Sequence, residues 1–339
     1  MDQLSIAVEA DRAPDVLSEL NFAHTVDKQL VHRRALSEVF LTDSSLIDES
    51  RFVAAAQLPP SHAYYTDHTT PNAIDPLLLL ECCRQAETHA VHAHFGAPIG
   101  TKFVLQEWSM DLPGLASMDP VLGPTAAVVS VDTHDARWLG GELRSLAYRM
   151  RIRVGDQSVG EVRMRVKYVA DDVYAMLRGR RNDGPLPTSD AYRATAVPGL
   201  AAPGRVGRRR EENVILLDPA ADEHGVQARL RVAGGHPSLF DHAQDHVPGM
   251  VLMEAGRQIS LLAAEEFTGV PAESWYVSGL DASFGAYAEL DAPLMVRASR
   301  PERSARDAEF TVRVTFEQDE RAVATAVFTG ARGEGGERP

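Results

Sequence analysis

Asp75-Pro76-Leu77-Leu78-Leu79-Leu80-Glu81-Cys82-Cys83-Arg84-Gln85 and, 173 positions later, Pro248-Gly249-Met250-Val251-Leu252-Met253-Glu254-Ala255-Gly256-Arg257-Gln258 are two versions of one segment. At that spacing Glu81, Arg84 and Gln85 fall on Glu254, Arg257 and Gln258, and further on Gly96, Pro98 and Val104 fall on Gly269, Pro271 and Val277. An offset that stays constant so far along the chain marks two copies of one structural unit. Each copy reads as an apolar helix. Pro76 suits a first helical turn, where its missing N–H costs nothing, and Gly96-Ala97-Pro98 stops the run. The expected helices are 76–95 and 249–267. In each, a carboxylate and a guanidinium three residues apart share one face, so both halves present a Glu/Arg pair in one direction.

The surrounding chain fits two units of this kind. At 339 residues it exceeds one ordinary core and suits two domains of roughly 150 residues. Its net charge of −14 argues against a nucleic-acid partner, which needs a basic face. No apolar run approaches the roughly 20 residues of a membrane-spanning helix, and the opening Met1-Asp2-Gln3 has no basic region followed by an apolar stretch. A cytoplasmic protein without a membrane partner is expected. The two cysteines, Cys82 and Cys83, are neighbours and read as reduced core residues, because adjacent helical thiols are poorly placed to bridge each other.

Each helix precedes a series of strand-like segments: 102–110, 126–131, 143–154 and 159–169 after the first, and 275–284, 294–299, 309–316 and 321–329 after the second. Short strands are expected near 213–217 and 227–232. Ala147-Tyr148-Arg149-Met150-Arg151-Ile152-Arg153-Val154 alternates apolar with charged residues, the pattern of a sheet with one wet face. A long helix followed by antiparallel strands, twice over, is an α+β plan. The expected division is 1–176, a Gly-, Pro- and Arg-rich linker 177–210, a second unit 211–332, and a disordered tail 333–339. The linker reads as solvated, or alternatively as a basic docking patch for an acidic partner. The stretch between Asp43 and Asp75 reads as a polar loop.

Phe240-Asp241-His242, Asp245-His246-Val247-Pro248-Gly249-Met250-Val251-Leu252, Glu254-Ala255 and Arg257-Gln258 together resemble the A-factor biosynthesis hotdog family, the synthases of γ-butyrolactone and related furan signals. Val31-His32-Arg33, Glu38-Val39 and Leu41-Thr42-Asp43 are similar to that family's amino-terminal motif, and 75–85 to its first hotdog. The resemblance spans about residues 30–330. It implies a double hotdog, two long central helices each wrapped by an antiparallel β-sheet, with each unit near 150 residues. It also implies transfer of a β-ketoacyl group from an acyl carrier protein thioester to a hydroxyl of dihydroxyacetone phosphate, with no cofactor and no metal. The second copy is similar as well to β-hydroxyacyl-thioester dehydratases, with Glu254 on the helix-borne acid and His242 nearest the loop histidine. The loop from His242 to Pro248 is two residues shorter than that pattern, and Arg257 is not part of it. A non-catalytic thioester-binding module is the remaining alternative.

Acyl transfer to an alcohol needs a base, a site for the oxyanion and a place for the acceptor's phosphate. Glu254 is expected to be the base, tuned upward by burial and downward by Arg257. Arg257 is expected to hold phosphate through its planar fork; the bland alternative is a fixed ion pair bracing the domains. Gly249 and Met250, at a helix start, suit a thioester oxygen. Glu81 and Arg84 are the first-copy equivalents. His242, Asp245 and His246 lie on the loop entering the second helix, where capping bonds compete with a direct role. Lys102 is a further substrate-binding candidate. His68, His89, His92 and His94 are close in sequence, yet no metal-binding framework accompanies them.

Overall fold

The computed structural model describes residues 17–69, 74–118, 123–179, 187–193, 197–303 and 309–332. Two helices organise it, α1 (Pro76–Ala93) and α3 (Gly249–Thr268). Asp75 caps α1 by accepting from the Leu77 amide at 2.8 Å, the bond that satisfies an otherwise unpaired first-turn N–H. Both helices are buried around almost their whole circumference, as expected of helices apolar on every side. Each of Leu77–Leu80 is at most 3% exposed, worth about 1.5–3 kcal/mol per side chain.

The strands are β1 (Leu41–Leu46), β2 (Arg51–Leu58), β3 (Lys102–Asp111), β4 (Thr125–Leu139), β5 (Glu142–Val154) and β6 (Gln157–Val169) in the first half. A short helix, α2 (Asp171–Gly179), follows. The second half has β7 (Leu216–Ala221), β8 (Gly225–Leu230), β9 (Trp275–Phe284), β10 (Met295–Ser299), β11 (Glu302–Arg303), β12 (Glu309–Gln318) and β13 (Arg321–Arg332). Among the described residues these form one sheet in the order β1-β2-β4-β5-β6-β3-β9-β13-β12-β10-β8-β7, with β11 on β12. The halves join where β3 meets β9, antiparallel, with Trp108 opposite Ala282 and Met110 opposite Leu280. That pairing covers the edge each half would otherwise expose. α1 and α3 pack against each other within the sheet's curve. Two adjacent helices under one continuous sheet are therefore what the chain forms.

Three expectations need correction. The presumed polar loop after Asp43 contains β2, an interior strand between β1 and β4. Phe52–Ala56 are all buried, so β2 lacks the alternation of a half-wet strand, and alanine is a weak strand signal. The short strand expected at 213–217 begins at Leu216, because Glu211–Asn213 forms a 3₁₀ turn. The segment read as a solvated linker holds Arg178, on α2, and Arg208, both buried. Arg180 and Arg181 of the suggested docking patch, and the 333–339 tail, lie outside the described residues.

Candidate active site

Two matching ion clusters sit on the facing helices. In the first, Arg33 Nη2 reaches Glu81 Oε1 at 2.6 Å and Arg84 Nε reaches Oε2 at 2.7 Å. Gln85 donates to Oε1 at 2.7 Å, while its own carbonyl accepts from the Phe40 amide at 2.9 Å. In the second, Arg208 Nε lies 3.0 Å from Glu254 Oε1, Arg257 Nη2 lies 2.6 Å from Oε2, and Gln258 donates to Oε1. Gln258 also accepts from the Ile215 amide at 3.0 Å. Arg33 thus corresponds to Arg208, and the repeat extends to the segments that precede the helices. These segments are held reciprocally. Asp241 of the second half accepts from the Arg34 and Ala35 amides, and Asp67 of the first half accepts from the Arg210 amide.

The clusters differ in charge and in access. Asp75 gives the second a fourth member, its Oδ2 3.2 Å from Arg257 Nη1, so two guanidiniums meet two carboxylates and cancel. Pro248 stands at the corresponding place in the other half, so Arg33 and Arg84 share Glu81 as their bonded carboxylate, with Glu38 and Asp241 acting on Arg33 from farther away. The Arg208 guanidinium is further covered by the Tyr64 ring, 4.3 Å from its centroid, and Trp275 occupies the position matching Lys102. Beside Arg257 there remains a space of about 20 Å³. The first cluster instead opens on a cavity of about 820 Å³, lined by Arg33 and Arg84 and closed opposite by the loop Leu239–Met250. Its apolar wall includes Leu105, Trp108, Met164 and Val166.

The loop is clamped from outside the motif. Arg178 donates to both Glu289 carboxylate oxygens at 2.7 Å and to Asp245 Oδ2 at 3.2 Å. Asp245 also receives Tyr174 Oη and pairs with His246 Nδ1 at 2.6 Å. Burial alone would raise its carboxyl, but His246, Tyr174 and Arg178 hold it well below the usual range. No side chain caps α3, and Gly249 and Met250 line the cavity. The helix start therefore offers amides and its positive dipole end to an oxygen there.

Two residues given no role from sequence line the cavity, His32 and Glu87, and His92 stands behind His32. His92 Nδ1 lies 2.9 Å from the Ala97 carbonyl, which can only accept, and His92 Nε2 lies 2.8 Å from His32 Nε2. In the neutral pair His32 therefore donates through Nε2 and keeps a lone pair on Nδ1. Burial, then His92, Arg84, His242 and Lys102, lower His32 to a pKa of about 3. Its backbone is left-handed at φ 52°, where the corresponding residue is Gly207 at φ 72°. A histidine held in a conformation that favours glycine is a sign that its ring is used. Glu87 is 2% exposed and lines the cavity; burial raises it to about 7, against smaller pulls from Tyr168, Thr88 and Arg84.

The structure thus brings Arg84, His242, Asp245, His246, Gly249, Met250 and Lys102 to one cavity. It does not bring Glu254 or Arg257, expected to act on substrate, to that cavity: both are buried and bonded to each other, Glu254 also to Arg208 and Arg257 also to Asp75. Glu81 is likewise sealed behind its two arginines. Burial would raise its carboxyl, yet Arg33 and Arg84 hold it at about 2, so it cannot take a proton near neutrality. Lys102 sits at the rim, 3.1 Å from Asp171. Of the crowded histidines, His92 is bonded as described and His94 pairs with Ser44 Oγ at 2.9 Å. Sequence could have singled out Glu87 by its counterpart, Ser260, and His32 by extending the repeat backwards with a two-residue shift to Gly207. No helix among the described residues is long and apolar enough to cross a membrane.

Comparison with known proteins identifies the family. The A-factor biosynthesis hotdog domain matches residues 17–170 and again 189–332. The chain is 35% identical over 310 residues to a 2-oxo-3-(phosphooxy)propyl 3-oxoalkanoate synthase of Streptomyces virginiae, covering 91% of this chain and 98% of that protein. It is 31% identical over 330 residues to the synthase of that name from Streptomyces griseus subsp. griseus, covering 97% and 99%. Two copies of the domain, joined through β3 and β9 around facing ion clusters, make this chain a member of the A-factor biosynthesis hotdog family.

Proposed function

We propose that the protein transfers a 3-oxoacyl group from an acyl carrier protein thioester to a hydroxyl of dihydroxyacetone phosphate. The product is a 2-oxo-3-(phosphooxy)propyl 3-oxoalkanoate ester, the first step toward a γ-butyrolactone-type or furan signal. The names of the relatives support the donor and acceptor classes. The observation that carries the reading is the Arg33–Glu81–Arg84 cluster, in which two guanidiniums share one bonded carboxylate and face a cavity large enough for both substrates. With its Nε and Nη2 engaged by Glu81, Arg84 offers its Nη1 edge and its charge to a phosphate, with Lys102 at the rim. The α3 amides take the thioester oxygen as it becomes anionic, and the apolar wall takes the acyl chain. His32, with its Nδ1 lone pair, orients the acceptor hydroxyl. A cytoplasmic location, where carrier-protein thioesters are made, belongs to this reading.

The dehydratase alternative loses ground because its two matched residues do not share the cavity: His242 lines it, whereas Glu254 is sealed in the other cluster. Incubation with a 3-oxoacyl thioester, with and without dihydroxyacetone phosphate, followed by mass spectrometry, separates the readings. An ester that forms only with the acceptor supports transfer. Dehydration of a 3-hydroxyacyl thioester supports the second reading, and thioester bound unchanged supports a binding module.

A further inference from the structure

The geometry points to Glu87 as the group that moves the proton in acyl transfer, taking it from the acceptor hydroxyl and returning it to the departing sulfur. This rests on the acyl-transfer reading and assigns the step that reading leaves without a residue. Glu87 lies three residues beyond Arg84 on the same face of α1 and lines the same cavity. The other half carries Ser260 at its position, so the fold itself does not demand an acid there.

Its partners suit proton exchange. Among the described residues no arginine or lysine bonds to it. Tyr168 donates to Oε1 at 2.8 Å, Thr88 Oγ1 lies 3.0 Å from Oε2, and the Tyr148 hydroxyl lies 2.6 Å from that of Tyr168. Counting hydrogens shows what this network does. Tyr168 has one hydrogen and gives it to Glu87, so Tyr148 gives its own to Tyr168. Thr88 Oγ1 also lies 2.9 Å from the Arg84 carbonyl, which can only accept. When Thr88 donates to that carbonyl, its contact with Glu87 needs a hydrogen on the carboxyl. When Glu87 is ionised, the Thr88 hydrogen swings to Oε2 instead. One hydroxyl rotation therefore satisfies both protonation states. Burial without a bonded counter-cation places the change near neutral pH, at about 7, where a base and an acid are both available. Glu81, held at about 2 by its arginines, cannot serve.

The step balances without a co-reactant. The acceptor oxygen bonds to the thioester carbon as the Glu87 carboxylate takes the hydroxyl proton, and negative charge gathers on the carbonyl oxygen at the start of α3. The C–S bond then breaks, the carbonyl reforms, and Glu87 returns the proton to sulfur as the thiol leaves. The charged and titratable groups around this event include Arg84 on α1, Tyr148 on β5, Tyr168 on β6, Arg33 beside Glu81, and, lining the rest of the cavity, Lys28, His32, Arg34, Lys102, Asp241, His242, Asp245 and His246.

The full chain carrying Glu87→Gln keeps size and hydrogen bonding while losing the base. Its kcat for ester formation should fall roughly 10²–10⁴-fold, with acceptor KM within about threefold of the parent and the melt preserved. The parent's kcat should rise with pH through about 7. Tyr168→Phe removes a donor that favours the ionised carboxyl, so that rise should move to higher pH, a displacement a packing role would not produce. Infrared difference spectra across the same pH range give a readout independent of turnover: a protonated-carboxyl band lost near pH 7 in the parent and missing in Glu87→Gln. A parent that forms ester alongside an equally active Glu87→Gln variant overturns the assignment and leaves acyl transfer standing. So does an infrared band unaffected by the substitution. A parent that forms no ester from either substrate defeats the acyl-transfer reading instead.

Discussion

At the residue scale, the same residue type does opposite work according to its partners. Glu81, Glu254 and Glu87 are all buried carboxyls, yet the first two are fixed by guanidiniums and the third is held by hydroxyls. Removing one partner of a buried pair leaves the other uncompensated, at about 3–5 kcal/mol, so Glu81→Gln should be clearly less stable than the parent at neutral pH. The pH dependence has a definite sign. The folded carboxyl sits at about 2, below its ordinary 4.5, so its contribution is complete above about 4.5 and disappears as pH falls toward 2. In denaturant melts the gap between parent and Glu81→Gln should therefore narrow below pH 4.5. A gap that stays constant down to acid pH would mean Glu81 is already neutral in the fold.

At the scale of elements, packing decides which positions a helix leaves open. Gly256 and Cys83 are repeat equivalents, and α1 admits a side chain where α3 does not. A Cβ on Gly256 would lie 2.3 Å from the Phe328 ring, itself fully buried. Gly256→Ala gains about 1 kcal/mol of helix propensity against roughly 1–3 kcal/mol of overpacking. A lowered melting temperature is expected; a melt at or above the parent's would show that the ring has room to move. The same contrast explains what could be read in advance. Both central helices stood out to within two residues at each end, because an apolar run with a proline start and a glycine stop is a local signal. Strands with one wet face were visible through alternation. β2 was not, since burial on both faces removes that rhythm, nor was α2, whose Arg178 gains meaning only when Asp245 and Glu289 arrive from the other half. Of the cavity, the loop residues and Arg84 were legible as motif. Glu87 was not, and His32 showed only as part of the amino-terminal motif without a role, because their roles depend on a left-handed turn and on tyrosines from two distant strands.

At the scale of the whole molecule, duplication produced two related clusters and divergence left one of them open. On one side, Pro248 in place of Asp75 removes a carboxylate, Lys102 in place of Trp275 exchanges a ring for a positive charge, and His32 in place of Gly207 sets an imidazole at the cavity. The effect is a neutral, filled cluster that braces the halves and a positive, accessible one that faces the cavity. Matching substitutions should separate these roles. Arg84→Lys keeps charge and loses the planar fork; forfeiting a charged hydrogen bond of about 1.5–3 kcal/mol should raise the acceptor's KM roughly tenfold or more. Because the Arg84 side chain is 20% exposed at the cavity, its melt should change little. Arg257→Lys makes the same chemical change inside the sealed cluster, where the guanidinium is 4% exposed and spans Glu254 and Asp75. It should melt lower by a comparable free energy with acceptor KM unchanged. Steady-state kinetics and thermal melts on the two variants decide the matter: a raised KM for Arg257→Lys with Arg84→Lys unaffected would place the working site in the other half of the molecule.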